Sequence, residues 1–188
     1  MSTLYSIGLM NQLGDALESA GFSPDDVTKL RTSGKLGEMK NVVYGMMEIK
    51  PVENIIDCSA DPFCPDGWTV EEHRKAGQLE WNPAKVKLFL DPGQQNGRCL
   101  KGHDLHEAIK NQPVLNACVL DWLLAHPKFI PENWKGKYVF FWGTIYRGSD
   151  GHPYVRYLDW RGDRWDWDCR WLGGGWLGDG PAVLSAST

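Results

Sequence analysis

Helical periodicity marks the first fifty residues of the chain. Apolar side chains recur at roughly helical spacing over residues 4–20, and Gly21 follows as a stop. The run Ser23-Pro24-Asp25-Asp26 is typical of a helix start, with a serine cap, proline in the first turn and acids near the positive end of the helix dipole. The pattern predicts helices over 4–20, from 24 to about 31 and over 36–44, forming a small helical N-terminal segment, residues 1–48.

The middle of the chain reads as short strands followed by two helices. Apolar stretches over 52–58 and 85–90 are separated by turn residues and predict strands. After Gly102 the spacing becomes helical again over 103–110 and from 117 through 125, and Asn116 is placed to cap the second helix.

The last third of the chain is rich in tryptophan. Seven of the ten tryptophans lie between Trp134 and Trp176. Alternating stretches over 138–147, 152–160 and 165–172, separated by turn residues, predict a three-stranded antiparallel β-meander. The fold class expected is therefore α+β, with the N-terminal and central helices packed on the tryptophan-rich sheet. The sheet domain is expected to span residues 49–184, and residues 185–188 are expected to be a frayed tail.

A four-residue hairpin loop at 161–164 fixes which side chains share a face of this meander. It pairs Trp160 with Trp165 and Arg156 with Cys169, and alternation then defines one large aromatic face with a single cation in it. Flat rings and an arginine suit a sugar, a nucleobase or a partner peptide. The same face is more typical of a core covered by the helices of residues 103–134, with Arg156 stacked between tryptophans. The candidate ligand-binding residues are Tyr154, Arg156, Trp160, Trp165, Trp167 and Trp171.

The opposite face of the same hairpin places two acids side by side. Asp159 is expected to face Asp166, and like charges opposed across strands destabilise a sheet. Either neighbouring arginines or a bound cation must offset this repulsion, and the arginines at 161, 164 and 170 are the favoured partners.

Charge and cysteine content narrow the classes of partner. The net charge is −4, and no segment has the excess of lysine and arginine that phosphate binding requires, so nucleic acid is not expected as a partner. No apolar run is long enough to cross a bilayer, so no membrane association is expected. No basic residue precedes Lys29, so a secretory signal with a positively charged start is not expected. The five cysteines are odd in number, so they are not expected to form a complete set of disulfides. Both features favour reduced thiols in the cytoplasm.

Candidate catalytic groups are few. No metal-ligand spacing is complete and no phosphate-binding glycine loop occurs, so we expect no metal and no cofactor. Histidines and carboxylates within residues 71–107 suit acid–base chemistry, which leaves a small hydrolase as an alternative function. A charged helical turn capped by Thr69, with Glu72 three residues later, explains part of the same pattern structurally.

Several short strings resemble those of a family of uncharacterised bacterial proteins. They are Pro113-Val114-Leu115-Asn116-Ala117, Ile130-Pro131-Glu132, Phe141-Trp142-Gly143-Thr144-Ile145-Tyr146-Arg147, Val155-Arg156-Tyr157-Leu158 and Pro181-Ala182. The resemblance covers mainly residues 80–184 and implies a bacterial, intracellular setting without implying an activity. The function expected from the residues is a non-catalytic binding or protein-interaction module. The ligand, the partner and the oligomeric state stay open.

Overall fold

The fold is described from a computed structural model, for residues 5–47 and 54–186. The chain divides into two compact units, Met1–Val52 and Glu53–Thr188. The boundary expected between residues 48 and 49, and Leu4 of the first expected helix, lie outside the described residues.

The first unit consists of three short helices: α1 (Ile7–Ser19), α2 (Pro24–Thr32) and α3 (Leu36–Val43). Local signals define their ends. Ser6 caps α1, and Ser23 caps α2 by accepting a hydrogen bond from the Asp26 N–H at 3.2 Å. The Asp26 carboxylate in turn accepts from the Ser23 N–H at 3.0 Å, which completes a capping box. None of the three helices buries a residue.

The second unit is built on a mixed sheet of seven strands, accompanied by two small two-stranded pairs. The sheet contains β2 (Thr69–His73), β4 (Val86–Phe89), β6 (Val139–Phe140), β7 (Thr144–Arg147), β8 (Pro153–Trp160), β9 (Trp165–Trp171) and β11 (Ala182–Ser185). The small pairs are β1 (Ile55–Asp57) with β3 (Gln78–Glu80), and β5 (Leu100–Lys101) with β10 (Gly175–Trp176). Two helices complete the unit, α4 (Gly102–Ile109) and α5 (Ala117–Ala125).

The sheet differs from the expected meander in size and direction. Its neighbours β6 and β11 are parallel, so the sheet is mixed, whereas the sequence predicted an antiparallel one. The stretch predicted as one strand over 138–147 is split into β6 and β7 at Phe141–Gly143. The Gly143 N–H donates to the Leu115 carbonyl at 2.9 Å, and its own carbonyl accepts from Arg74. A β-carbon at 143 would lie 2.8 Å from the Asn116 Cα, so the start of α5 presses against the strand at this break.

Two local expectations are wrong for a related reason. Residues 69–73, expected as a capped helical turn, form β2, because they pair with β7 through a bulge between Val70 and Glu72. Asn116 does precede α5, but its side chain makes no capping bond and instead donates to the carbonyls of Cys58 and Arg74.

The expected frayed tail, residues 185–188, begins inside β11, where Ser185 pairs with Val86.

The two central helices lie on opposite faces of the sheet. Val119, Leu120 and Leu123 of α5 pack in one buried cluster with Leu158 of β8. Leu105 and Ile109 of α4 pack in the other cluster, which includes Val155 of the same strand. Since Leu158 and Val155 project from opposite sides of β8, α5 covers the aromatic face and α4 covers the other.

Candidate functional site

The β8–β9 hairpin has the register predicted from its loop. Trp160 pairs with Trp165, Leu158 with Trp167, Arg156 with Cys169 and Tyr154 with Trp171. All six candidate ligand-binding residues therefore project from the same face of the sheet. The structure brings them together as a stripe, but it surrounds each part of the stripe differently.

The centre of the stripe is occupied by Arg156, which is only 1% exposed. Its guanidinium lies 2.8 Å from the Asp121 carboxylate of α5 and 4.2 Å above the Trp167 ring centroid. The rings of Phe63 and Tyr146 flank it at 5.0 and 5.9 Å. The partner of Arg156 is thus a carboxylate of α5, and Arg156 is held by the protein's own groups.

The segment around Phe63 is fastened over this arginine through its backbone. The Phe63 N–H donates to Asp121 Oδ2 at 2.9 Å, and its carbonyl accepts from the Tyr146 hydroxyl at 3.0 Å. Burial raises the pKa of Tyr146 to about 12, against the opposing effect of the Arg156 hydrogen bond and charge, so the phenol stays a donor. The Phe63 side chain remains 52% exposed while its ring contacts Trp167 edge-on at 5.5 Å.

One end of the stripe is closed by a lysine. Trp160 and Trp165 pack edge to face at 5.3 Å, and Lys135 Nζ lies 4.1 Å above the Trp160 ring. Both tryptophans are half-buried. This end offers ring edges to solvent, with its best face already occupied by a cation.

The other end of the stripe is open, and it gains two aromatic residues that the sequence did not indicate. Trp171 is 44% exposed and lies 5.1 Å from the His152 ring. Its cross-strand partner Tyr154 lies 4.7 Å from the Trp68 ring. We call these four residues, Trp68, His152, Tyr154 and Trp171, the aromatic platform. The sequence does not predict the position of Trp68, because this residue follows a turn 86 residues before Tyr154 and no local pattern links the two.

Two glycines set the positions of the platform rings. A β-carbon at Gly173 would lie 2.2 Å from the Trp171 ring, and one at Gly148 would lie 2.9 Å from the Tyr154 ring. Each ring therefore lies close against backbone that only glycine leaves accessible. The Tyr154 hydroxyl donates to Asp150 at 2.7 Å, which fixes that ring further and holds the pKa of Asp150 below its usual range.

The outer edge of β9 is capped by its own side chains. The Phe141 N–H, in the segment between β6 and β7, donates to the Arg156 carbonyl, so the backbone polar groups of Arg156 point away from β9. The backbone polar groups of its cross-strand partner Cys169 therefore point to the outer edge of the sheet. The outward N–H of Cys169 donates to Asp168 Oδ1 at 2.7 Å, and that of Trp167 donates to Asp166 Oδ1 at 2.9 Å. A peptide adding to this edge would find both donors already engaged.

The opposite face shows the expected acid pair with arginine neighbours. Asp159 pairs with Asp166 across the hairpin. Arg161 lies 3.0 Å from Asp159 and 3.3 Å from Asp168, and Arg164 lies 3.5 Å from Asp166. Burial still raises the pKa of Asp159 above its usual range, in opposition to the lowering effect of Arg161.

The histidines and carboxylates of residues 71–107 are distributed over separate places. His106 Nε2 lies 3.4 Å from Glu72, and its ring stacks on Trp142 at 5.8 Å. Glu71 forms an ion pair with Arg147. His103 is exposed on α4. The single close pair of an imidazole with a carboxylate in this range is His106 with Glu72, among the residues that the structure describes.

A cysteine–histidine pair lies where the sheet splits, and the sequence gave no signal for it. His73 Nε2 lies 3.9 Å from Cys118 Sγ, and His73 Nδ1 lies 2.9 Å from the Thr144 hydroxyl. Burial raises the pKa of Cys118 to about 11 and lowers that of His73. The sulfhydryl points to the Ala60 carbonyl at 3.3 Å. A nucleophilic cysteine needs a lowered pKa, so Cys118 has the properties of a buried structural thiol.

Within residues 5–47 and 54–186, no group of three or more histidine, cysteine or acidic side chains is arranged to hold a metal ion. Over the same residues, no helix is long and apolar enough to cross a membrane. Comparisons with protein-family models, with curated proteins and with solved structures find no match for this chain. The resemblance to a bacterial family noted from the sequence therefore stays a prediction.

Proposed function

We propose that the protein is a non-catalytic binding module whose aromatic platform holds a neutral oligosaccharide. The observation that carries the proposal is Trp171, a 44% exposed residue whose indole ring lies against the backbone of Gly173. A flat, rigid ring suits the apolar face of a sugar, since it gives contact area at little conformational cost. His152 and Asp150 beside it supply polar groups for hydroxyls.

The surroundings support a sugar over the other ligands that suit aromatic faces. Asp166 and Asp168 engage two of the outward donors of β9, the N–H groups of Trp167 and Cys169, which disfavours a peptide that adds as a further strand. Acids also lie along this hairpin and the chain has a net charge of −4, which disfavours a nucleic acid. A neutral sugar needs neither free strand donors nor a basic surface.

The proposal assigns different roles to the six residues expected from the sequence. Trp171 and Tyr154 contact the ligand, together with Trp68. Arg156 and Trp167 form the supporting layer beneath, because Arg156 is paired with Asp121. Trp160 and Trp165 extend the stripe away from the platform. The tryptophan-rich hairpin is the binding part of the mixed sheet, and we place this binding in the bacterial cytoplasm.

The test is titration calorimetry with neutral oligosaccharides of glucose, N-acetylglucosamine, xylose and mannose. Trp171→Ala should weaken binding about tenfold, which corresponds to about 1.4 kcal/mol. Trp160→Ala is the matched control, because that ring lies at the closed end of the stripe, and its affinity should stay within about twofold of the parent. Equal loss in both variants, or no binding to any sugar of the four series, would contradict the proposal.

A hydrolase is the second candidate, and the pair of His106 with Glu72 is the observation that favours it. His106 Nε2 lies 3.4 Å from the Glu72 carboxylate without a hydrogen bond to it, so a small rotation is needed before the carboxylate can orient the imidazole as a general base. Chromogenic ester and glycoside substrates test this activity directly. A hydrolase would lose turnover in Glu72→Gln, whereas the binding proposal predicts no turnover in either protein.

A further inference from the structure

Within residues 5–47, the first unit leaves most of its apolar side chains exposed. None of the helices α1, α2 and α3 has a buried residue, and Ile7, Leu13 and Val43 are 81, 54 and 82% exposed. Large exposed apolar side chains in such number favour a binding surface for another molecule. The aromatic platform belongs to the second unit, so a role for the first unit goes beyond the proposed function.

A shallow, open groove of about 560 Å³ runs along α1 and α2. Its apolar lining comes from both helices and from the turn between them: Met10, Leu17, Phe22 and Val27. Gly14 lies in the middle of the α1 wall, and a β-carbon there would have no atom within 4 Å. The glycine therefore leaves room along the helix that a second helix can occupy.

The rim of the groove is acidic. Asp15 and Glu18 line it, and no lysine or arginine is among its described lining residues. Neither carboxylate has an ion-pair partner within residues 5–47, whereas Asp25 and Glu38 elsewhere in the unit are paired with lysines. Two unpaired acids beside an apolar groove are complementary to a partner with cations flanking an apolar stripe.

We propose that this groove binds an amphipathic helix of a partner protein, with apolar side chains on one face and lysine or arginine along its flanks. The 13 residues of α1 span about 20 Å, which matches three to four turns of a bound helix with anchors at i, i+4 and i+7. A second copy docking groove to groove is disfavoured, because Asp15 and Glu18 of both copies would then face each other.

The experiment measures fluorescence anisotropy of two labelled synthetic peptides with the full chain. Both peptides are helices of about 18 residues with leucine at helical spacing, one flanked by lysines and the other by glutamates. The lysine peptide should bind at least tenfold more tightly. Replacing both acids, Asp15→Asn with Glu18→Gln, should remove most of that difference while leaving the apolar groove intact.

Gly14 supplies a matched pair of variants. Gly14→Leu should fill the groove and weaken the lysine peptide at least tenfold, whereas Gly14→Ala should change its affinity less than about threefold. Both replacements have a higher helix propensity than glycine, and circular dichroism checks that the helices persist.

Three results would overturn the proposal. The first is equal affinity for both peptides, or no binding of the lysine peptide at about 100 µM. The second is binding that Gly14→Leu leaves unchanged. The third is self-association of the chain that Gly14→Leu abolishes without any peptide, which would assign the groove to a second copy.

Discussion

Arg156 carries a permanent charge into a place that water does not reach. A guanidinium does not lose its proton in a protein, so burial requires partners that stay with it. The sequence predicted this requirement, because alternation along β8 put Arg156 among tryptophans. It did not predict Asp121 or Phe63 as partners, since these lie 35 and 93 residues away along irregular connections.

Replacing Asp121 and replacing Arg156 should lower the free energy of unfolding by different amounts. Asp121→Asn leaves the guanidinium buried without a counter-charge and should lower the free energy of unfolding by about 3 kcal/mol. Arg156→Leu removes the buried charge and leaves Asp121, which is partly exposed, to be hydrated, so its cost should be about 1 kcal/mol. Urea unfolding of both single variants and of the double variant measures the coupling.

The double variant decides the interpretation. If Asp121 acts mainly by neutralising Arg156, the double variant should be no less stable than Asp121→Asn alone. A larger loss in Arg156→Leu than in Asp121→Asn would mean that the packing of the arginine among Trp167 and Phe63 matters more than its charge.

At the level of single elements, local signals predicted structure well where the chain satisfies itself locally. The three N-terminal helices, their stops and the Ser23 cap follow from residues within four positions of each other. The β8–β9 register followed from loop length, because side-chain alternation allows no slip without exposing the aromatic face.

Elements that depend on distant partners were predicted less well. The Thr69–Glu72 pattern is a legitimate helix start, yet β7 recruits this segment as a strand. The break between β6 and β7 arises because Asn116 lies against Gly143, a contact across 27 residues. The platform was only half predicted for the same reason, since Trp68 and the supporting glycines come from separate parts of the chain.

The Ser23 capping box gives a prediction at this scale. Ser23→Ala removes the acceptor of the Asp26 N–H and should destabilise the first unit by about 1 kcal/mol. Ser19→Ala is the control, because that hydroxyl donates to the Asp15 carbonyl one turn back in α1 and caps no backbone N–H, and it should have little effect.

Far-ultraviolet circular dichroism in urea follows the loss of helix in both variants. Equal midpoints for Ser23→Ala and the parent would show that α2 does not need its cap.

On the scale of the whole molecule, the sequence indicated an α+β fold and missed the parallel pairing that makes the sheet mixed. The parallel contact of β6 with β11 joins residues 42 positions apart, through Phe140 and Ala182. Pairings of this range depend on the packing of both helices around the sheet, and no local periodicity encodes them.

The reactivity of the five cysteines tests how the second unit is packed, because all five lie in it. All are free thiols in the structure, and burial raises the pKa of Cys58, Cys118 and Cys169 to about 11 each. In the native protein at pH 8, Cys99 should react with a thiol reagent much faster than these three, because it is exposed.

In denaturant without reductant, all five thiols should react, and mass spectrometry assigns the labelled residues. Only three or one reactive groups in denaturant would reveal a disulfide. Fast labelling of Cys118 in the native protein would instead indicate a reactive thiolate, and its pair with His73 would then be a candidate catalytic pair.

The capped outer edge of β9 bears on how the protein behaves when it is concentrated. A long edge strand rich in tryptophan is a template on which further chains can polymerise. Here Asp166 and Asp168 each occupy the backbone donor of the residue that follows them, so an incoming chain must break two charged hydrogen bonds before it can pair. The two aspartates therefore make the middle of β9 a poorer template for fibre growth than its partly exposed tryptophans alone would suggest.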